Sequence, residues 1–371
     1  MDDDAGCWEF PADVLVEIFR RLPTSSRRRF RLVCRLWREL IDDRTTEMQS
    51  RAKALLWNAQ YSVAYLIDDL SSSSKGNCTE LWRPADGDRR WYSGLQLVGT
   101  CNGLLCLCDN ENMLGGAITL VNPATGEALP VPPLPCAGEI TETNCWVQAY
   151  AFAYHPISGQ YKVVHVPCRF GENCGFDAVH VFTLGVASWR EVPTGPEGMV
   201  RYDRGTCIIS VDGTTYWATD ESTPRVVSFD LEQERFTAFT PLPAPVKGPG
   251  YSQYCLTEIH GKLGIVVWGR DIPVMESEVW VLEKERRWSH RYSVSCSLPG
   301  PQFVYGEYVL THYNSMYAHY KGPSSSKDLV RVSRQDQVTL VAKMKFGIGY
   351  YPCGTFAYVE TPEPLSVYVT N

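Results

Sequence analysis

Residues 10 to 23 read Phe10-Pro11-Ala12-Asp13-Val14-Leu15-Val16-Glu17-Ile18-Phe19-Arg20-Arg21-Leu22-Pro23, and residues 30 to 41 read Phe30-Arg31-Leu32-Val33-Cys34-Arg35-Leu36-Trp37-Arg38-Glu39-Leu40-Ile41. Pro11 suits a first helical position, where a missing N–H costs nothing. Asp13 puts a negative charge in the first turn, where the helix dipole favours it. Leu15, Ile18, Phe19 and Leu22 follow the i, i+3, i+4, i+7 spacing of one apolar stripe. Pro23 stops the run, and Thr24 or Ser25 can cap the helix that follows. Phe30, Val33, Cys34, Trp37, Leu40 and Ile41 make a second stripe. About 40 residues cannot build a self-sufficient core without staples. Part of this apolar surface must therefore meet the rest of the chain or another protein.

Working outward, residues 42–60 read as a helical continuation, with Met48, Ala52, Leu55 and Leu56 at helical spacing. From Tyr61 the period changes to short strand-like runs between turn residues. The polar runs 71–75 and 324–326 read as loops. Gly103 to Cys108 is a strand, and Ile118 to Val121 is another that ends in the turn Asn122-Pro123-Ala124-Thr125-Gly126. Val211-Asp212-Gly213-Thr214 is a hairpin with an Asp-Gly turn. The sequence of events around Val211 returns near Ile259, about 48 residues on, a spacing suited to a four-stranded propeller blade. About six blades fit between Tyr61 and the end. The run Phe356-Ala357-Tyr358-Val359 is expected to close the ring against early strands, which hides sheet edges.

The chain has 371 residues, more than one compact core commonly holds, so two domains are expected. Aromatics reach 12%, and 29 Gly with 24 Pro supply turns, consistent with many short strands. A net charge of −7 argues against a general nucleic-acid or anionic-membrane binder. Arg27, Arg28, Arg29, Arg31, Arg35 and Arg38 are a local exception, readable as a solvated face or as steering toward an acidic partner. Met1-Asp2-Asp3-Asp4 is acidic where a targeting signal is basic, and no apolar segment of spanning length is present. A cytoplasmic or nuclear location is expected, with the 14 cysteines mostly reduced and acting as small hydrophobes.

The N-terminal segment resembles an F-box. The residues that carry the resemblance are Phe10-Pro11, Asp13, Val14-Leu15, Glu17-Ile18-Phe19, Leu22-Pro23, Phe30-Arg31, Val33-Cys34, Trp37-Arg38 and Leu40-Ile41. The rest is similar to the F-box-associated, kelch-like propeller domain of plant F-box proteins. That likeness rests on Cys101-Asn102-Gly103-Leu104-Leu105-Cys106, Asn122 to Gly126, Tyr161-Lys162-Val163-Val164, Ser188-Trp189-Arg190, Asp212-Gly213 with Tyr216-Trp217, Phe229-Asp230-Leu231 and Val279 to Leu282. The resemblance implies a three-helix F-box at 8–45, a helical connector at 46–60 and a β-propeller-like domain of about six blades at 61–371. It implies docking on a Skp-type adaptor, and through it a cullin-RING ubiquitin ligase, with an unnamed target protein bound by the β domain. Phe10, Pro11, Leu15, Ile18, Phe19, Leu22 and Pro23 become adaptor contacts, and Val33, Cys34 and Trp37 contact the adaptor or support that surface. Arg27-Arg28 departs from the family pattern, which places apolar residues there.

The sequence holds no Cys-x-x-Cys pair, His-x-x-x-His spacing, nucleophile elbow, phosphate loop or dinucleotide fingerprint. No metal, cofactor or catalytic residue is assigned, and the protein is read as a non-catalytic ligase subunit. His155, His165 and His180 are expected to be structural or surface residues, and Cys106 and Cys108 core. Trp189, Trp217, Trp268, Trp280 and Trp288 are possible anchors for a target, but fit propeller core better. Two rivals stand beside the ligase reading. One is an adaptor-independent binding protein whose N-terminal stripe packs internally. The other is an enzymatic or sugar-binding propeller, which needs a polar constellation in the central channel.

Overall fold

The computed structural model describes residues 10–21, 30, 33–44, 53–59, 61–67, 78–84, 94–110, 115–135, 149–156, 158–169, 175–194, 201–203, 206–243, 252–259, 261–269, 275–283, 285–296, 303–305, 308–312, 316–320, 331–332, 338–342 and 354–369. Among the described residues, the helices α1 (Ala12–Arg21) and α2 (Arg35–Arg44) precede a series of small sheets. The sheets are consecutive meanders, and their first strands neighbour one another in a ring: Gly354–Tyr358, Leu95–Cys101, Tyr150–His155, Ile209–Val211, Ser252–Ile259 and Phe303–Tyr305, back to Gly354–Tyr358. This is a β-propeller. Below, each sheet is named by the first residue of its first strand.

Five sheets are four-stranded blades, while the Ser252 sheet carries a fifth strand, Arg331–Val332, parallel to Trp288–Cys296. The expectation of about six blades is corrected accordingly: five regular blades, and one sheet of different make-up. The extra strand comes from a distant two-residue stretch that no period in the sequence links to its partner.

The ring closes as expected, but with an unexpected strand. Gly354–Tyr358 pairs with Lys53–Asn58, with Ala357 opposite Ala54 and Phe356 opposite Leu55. Lys53–Asn58 was assigned to the helical connector 46–60; it is a strand, and the propeller sheet begins there rather than at residue 61. Ala54, Leu55, Leu56 and Trp57 are consecutive and all buried. A continuous apolar run is what a strand covered on both faces presents, and the helical spacing of Leu55 with Ala52 and Met48 sampled only part of it.

Local chemistry sets the hairpins. Asn102-Gly103 and Asp212-Gly213 have φ of 51° and 83°, and 46° and 77°. They join Cys101 to Leu104 and Val211 to Thr214. Positive φ at both turn positions matches the right-handed strand twist, which is why Asn-Gly and Asp-Gly occur there. Gly103 has a second reason. A Cβ on it would lie 2.4 Å from the Val359 carbonyl oxygen, because the C-terminal segment crosses directly over this turn.

Neighbouring blades are joined by recurring contacts. Trp189 donates from Nε1 to the Pro132 carbonyl and Trp288 to the Pro241 carbonyl, each at 2.8 Å. In both cases a tryptophan at or just before the start of a blade's fourth strand latches onto the chain at the end of the preceding blade's outer strand. Lys162 and Glu234, both buried, pair at 2.5 Å, and Arg190 reaches the other carboxylate oxygen of Glu234 at 3.0 Å. The largest core cluster runs through the Leu95, Tyr150 and Ile209 blades, where Trp217, Phe229 and Phe236 pack at centroid distances of 5.4–6.3 Å. Cys106 and Cys108 lie in this core, as expected.

Candidate functional site

The helical unit folds around its own small core. Pro11 leads into α1, and its carbonyl accepts the Val14 and Leu15 N–H groups. At the start of α2 the Cys34 sulfur accepts the Trp37 N–H at 3.4 Å, a cap supplied by a thiol. Leu15, Val16 and Phe19 of α1 pack with Leu40 and Ile41 of α2, and Ala12, Phe30 and Trp37 close the cluster. Phe19, Phe30 and Trp37 form an aromatic trio with centroids 5.1–6.3 Å apart, mostly edge to face, a favoured arrangement.

A second apolar set faces the other way. Phe10, just ahead of α1, and Val14 and Ile18 within it recur every four residues, and Val33 and Leu36 flank the start of α2. These five are 42–59% exposed, against 1% for Phe19. Nine large hydrophobic residues are exposed among those whose side chains are described, and these five account for more than half of them within a short segment. Such concentration marks an interaction surface rather than ordinary surface scatter.

Residues 8–46 match the F-box domain, and residues 69–350 match the F-box associated beta propeller domain. The chain belongs to the F-box-associated propeller family. Among its relatives from Arabidopsis thaliana, F-box protein At3g07870 is 26% identical over 79% of this chain and 74% of its own length. F-box/kelch-repeat protein At3g23880 is 26% identical over 78% and 79%, and F-box protein At4g11590 is 26% identical over 85% and 84%.

Within the F-box the ten sequence candidates separate. Leu15 and Phe19 are buried in the helical core, and Trp37 is half-buried in its aromatic trio. Phe10, Pro11, Ile18, Val33 and Cys34 are exposed. Leu22 and Pro23 lie outside the described residues, as do Arg27 and Arg28. Sequence reasoning left out Val14 and Leu36. Val14 extends the Phe10–Ile18 line, a four-residue repeat that was legible, and Leu36 sits three residues after Val33.

In the propeller, the five tryptophans are packed rather than presented. Trp217 is fully buried, Trp189 and Trp288 serve as latches, and Trp268 lies against Ile259, Val266, Val279 and Val281. Trp280 donates to Glu278 at 3.0 Å and meets the edge of His290. His155, His165 and His180 are buried, the structural reading made from sequence. Burial pushes His165 well below the ordinary histidine pKa, with His180 nearby adding to the shift, and burial lowers His180 as well. Among the described residues no group of three or more potential metal ligands converges, and no helix is long and apolar enough to cross a membrane.

The C-terminal segment straps one face of the propeller, a feature the sequence did not announce. Asn122 donates through Nδ2 to the carbonyls of Thr361 and Glu363, at 3.1 and 2.7 Å. The Tyr161 and Tyr368 hydroxyls donate to the Glu363 carboxylate at 2.8 and 2.6 Å. The Leu365 N–H donates to Glu127 at 2.7 Å, and that bond holds the Glu127 carboxyl below its usual pKa. The strap covers the Asn102-Gly103 turn and the turn following Asn122, both on the same side of the Leu95 blade.

Proposed function

We propose that this F-box protein is the substrate-recognition subunit of a Skp-cullin-F-box ubiquitin ligase. Its F-box, residues 8–45, docks on a Skp-type adaptor, and the propeller holds a target protein. The observation that carries this reading is the split of the helical unit's apolar residues. Leu15, Val16 and Phe19 complete an internal core, while Phe10, Val14, Ile18, Val33 and Leu36 remain exposed on a surface suited to a partner. The proposed adaptor contacts are therefore Phe10, Pro11, Val14, Ile18, Val33 and Leu36. Leu15, Phe19 and Trp37 hold the helices that present them, and exposed Arg35 and Arg38 favour an acidic partner.

In this role the chain needs no catalytic residue. Holding a target lysine near a ubiquitin carrier raises its effective concentration, and the bond-making groups belong to other subunits. The site of action is the cytoplasm or nucleus. The adaptor-independent alternative, in which the stripe packs internally, is disfavoured by the exposure of Ile18.

Co-purification of the full chain with a Skp-type adaptor tests the proposal, alongside Ile18→Asp checked for folding by circular dichroism. Wild-type binding, lost in a folded Ile18→Asp protein, is the expected outcome. A folded wild type that captures no adaptor overturns the proposal in favour of the adaptor-independent role. Leu15→Asp is a poor probe, because it buries a charge in the helical core and disrupts folding whichever role is correct.

A further inference from the structure

Cys106, Cys108 and Cys168 are buried filler. Burial pushes the Cys106 and Cys108 thiols up, which keeps them protonated and weakly nucleophilic. Cys207 and Cys255 differ. Cys207 lies just ahead of strand Ile209–Val211, half-buried, with φ of 63°. Cys255 lies within Ser252–Ile259, the first strand of the adjacent sheet, and is buried. The Leu256 N–H donates to the Thr206 carbonyl at 2.8 Å, which sets the two segments side by side, with Cys207 and Cys255 each next in sequence to a bonded residue. Their thiols interact, each shifting the other's titration.

We propose that Cys207 and Cys255 form a reversible disulfide that staples the start of the Ile209 blade to the inner strand of the Ser252 sheet. This goes beyond the receptor role and does not depend on it. The two thiols have complementary tasks. Interaction with Cys255 lowers the Cys207 pKa, while interaction with Cys207 and burial raise that of Cys255. The Cys255 S–H itself donates to the Leu256 carbonyl at 3.3 Å. Cys207 is thus the attacking thiolate, and its partial exposure admits a small oxidant; Cys255 is the resolving thiol.

With hydrogen peroxide as oxidant, the Cys207 thiolate attacks one peroxide oxygen. The O–O bond breaks, and the departing hydroxide takes up a proton to become water, leaving a sulfenic acid. The Cys255 sulfur then attacks the Cys207 sulfur, the S–O bond breaks, and a second water leaves with the Cys255 proton. Two thiols lose two electrons, and one peroxide becomes two waters. A dithiol reductant reverses the bond by exchange. The bridge closes a loop of roughly 50 residues, long enough to restrict the unfolded chain, and fixes two neighbouring inner strands at one end of the ring.

The test uses the full chain, reduced, then exposed to hydrogen peroxide, alkylated and digested without reductant. A linked Cys207–Cys255 peptide that disappears with dithiothreitol is expected. The thermal midpoint should rise by about 5 °C on oxidation, and Cys255→Ser should abolish that rise while leaving Cys207 reactive toward a sulfenic-acid probe. Recovery of both cysteines as separate alkylated peptides after excess oxidant overturns the proposal. Linkage of either one to a different cysteine does the same. The mapping is made on wild-type protein, so it stands even where the variant folds poorly.

Discussion

In the Ile209 blade Trp217, Val226, Val227, Phe229 and Leu231 are all sealed from solvent, whereas in α1 Leu15, Val16 and Phe19 are sealed and Val14 and Ile18 are not. The blade satisfies itself by pairing strands and stacking on its neighbours. The F-box has one thin layer of core, and its second apolar line lies open. The difference shows that apolar patterning alone overstates self-packing in a small helical unit. A stripe wide enough to look like a core face was two faces, and only one of them closes the fold.

Substitutions in each region test this contrast. The largest expected effect is in the blade. Trp217→Ala leaves a void among Phe229, Phe236 and the surrounding core and should cost about 3–5 kcal/mol; chemical denaturation followed by tryptophan fluorescence reads it as a lower midpoint for the whole propeller. Phe19→Ala should cost about 3 kcal/mol by the same mechanism. That loss is confined to the F-box: hydrogen exchange should quicken in α1 and α2 while the blades keep their protection. An equal loss of protection in the blades would mean that the two cores are one.

Gly103→Ala comes next, at about 1–3 kcal/mol, because φ is +83° and the new Cβ meets the Val359 carbonyl. Limited proteolysis should then release the C-terminal strap first. The pH response is smaller. His165 is neutral and buried in the folded state, with its pKa lowered, whereas the unfolded chain takes up a proton near pH 6.5. Stability is therefore full above about pH 6.5 and falls below it, by about 1 kcal/mol between pH 6.5 and 5.5 for this residue. His165→Phe should flatten the urea midpoint across that window; an unchanged slope would show that His165 is not the sensor.

Much of the fold was legible in short-range chemistry. Asn102-Gly103 and Asp212-Gly213 fix hairpins through their own φ preferences, and the Phe356-to-Val359 run announced the closing strand. What escaped depends on long-range partners. Lys53–Asn58 borders the F-box in sequence but pairs with a strand some 300 residues away, and local spacing favoured the helix. Arg331–Val332 joins a sheet without any matching period. At the candidate site, the residue types and spacing put Phe10, Pro11 and Ile18, which are exposed, in one set with the buried Leu15 and Phe19. They could not separate these from Leu15 and Phe19, since the direction of each side chain is decided by where α2 lies.

The smallest stability effect belongs to the most informative residue. In the proposed receptor role, Ile18 belongs to a partner's core and not to the chain's own. An adaptor titration by calorimetry, run on wild type and Ile18→Asp with helical stability measured in parallel, addresses it directly. The account predicts at least a roughly 100-fold loss of adaptor affinity, comparable to burying an unpaired charge at an interface, with stability changed by less than about 0.5 kcal/mol. Unchanged affinity together with a melted F-box would contradict it.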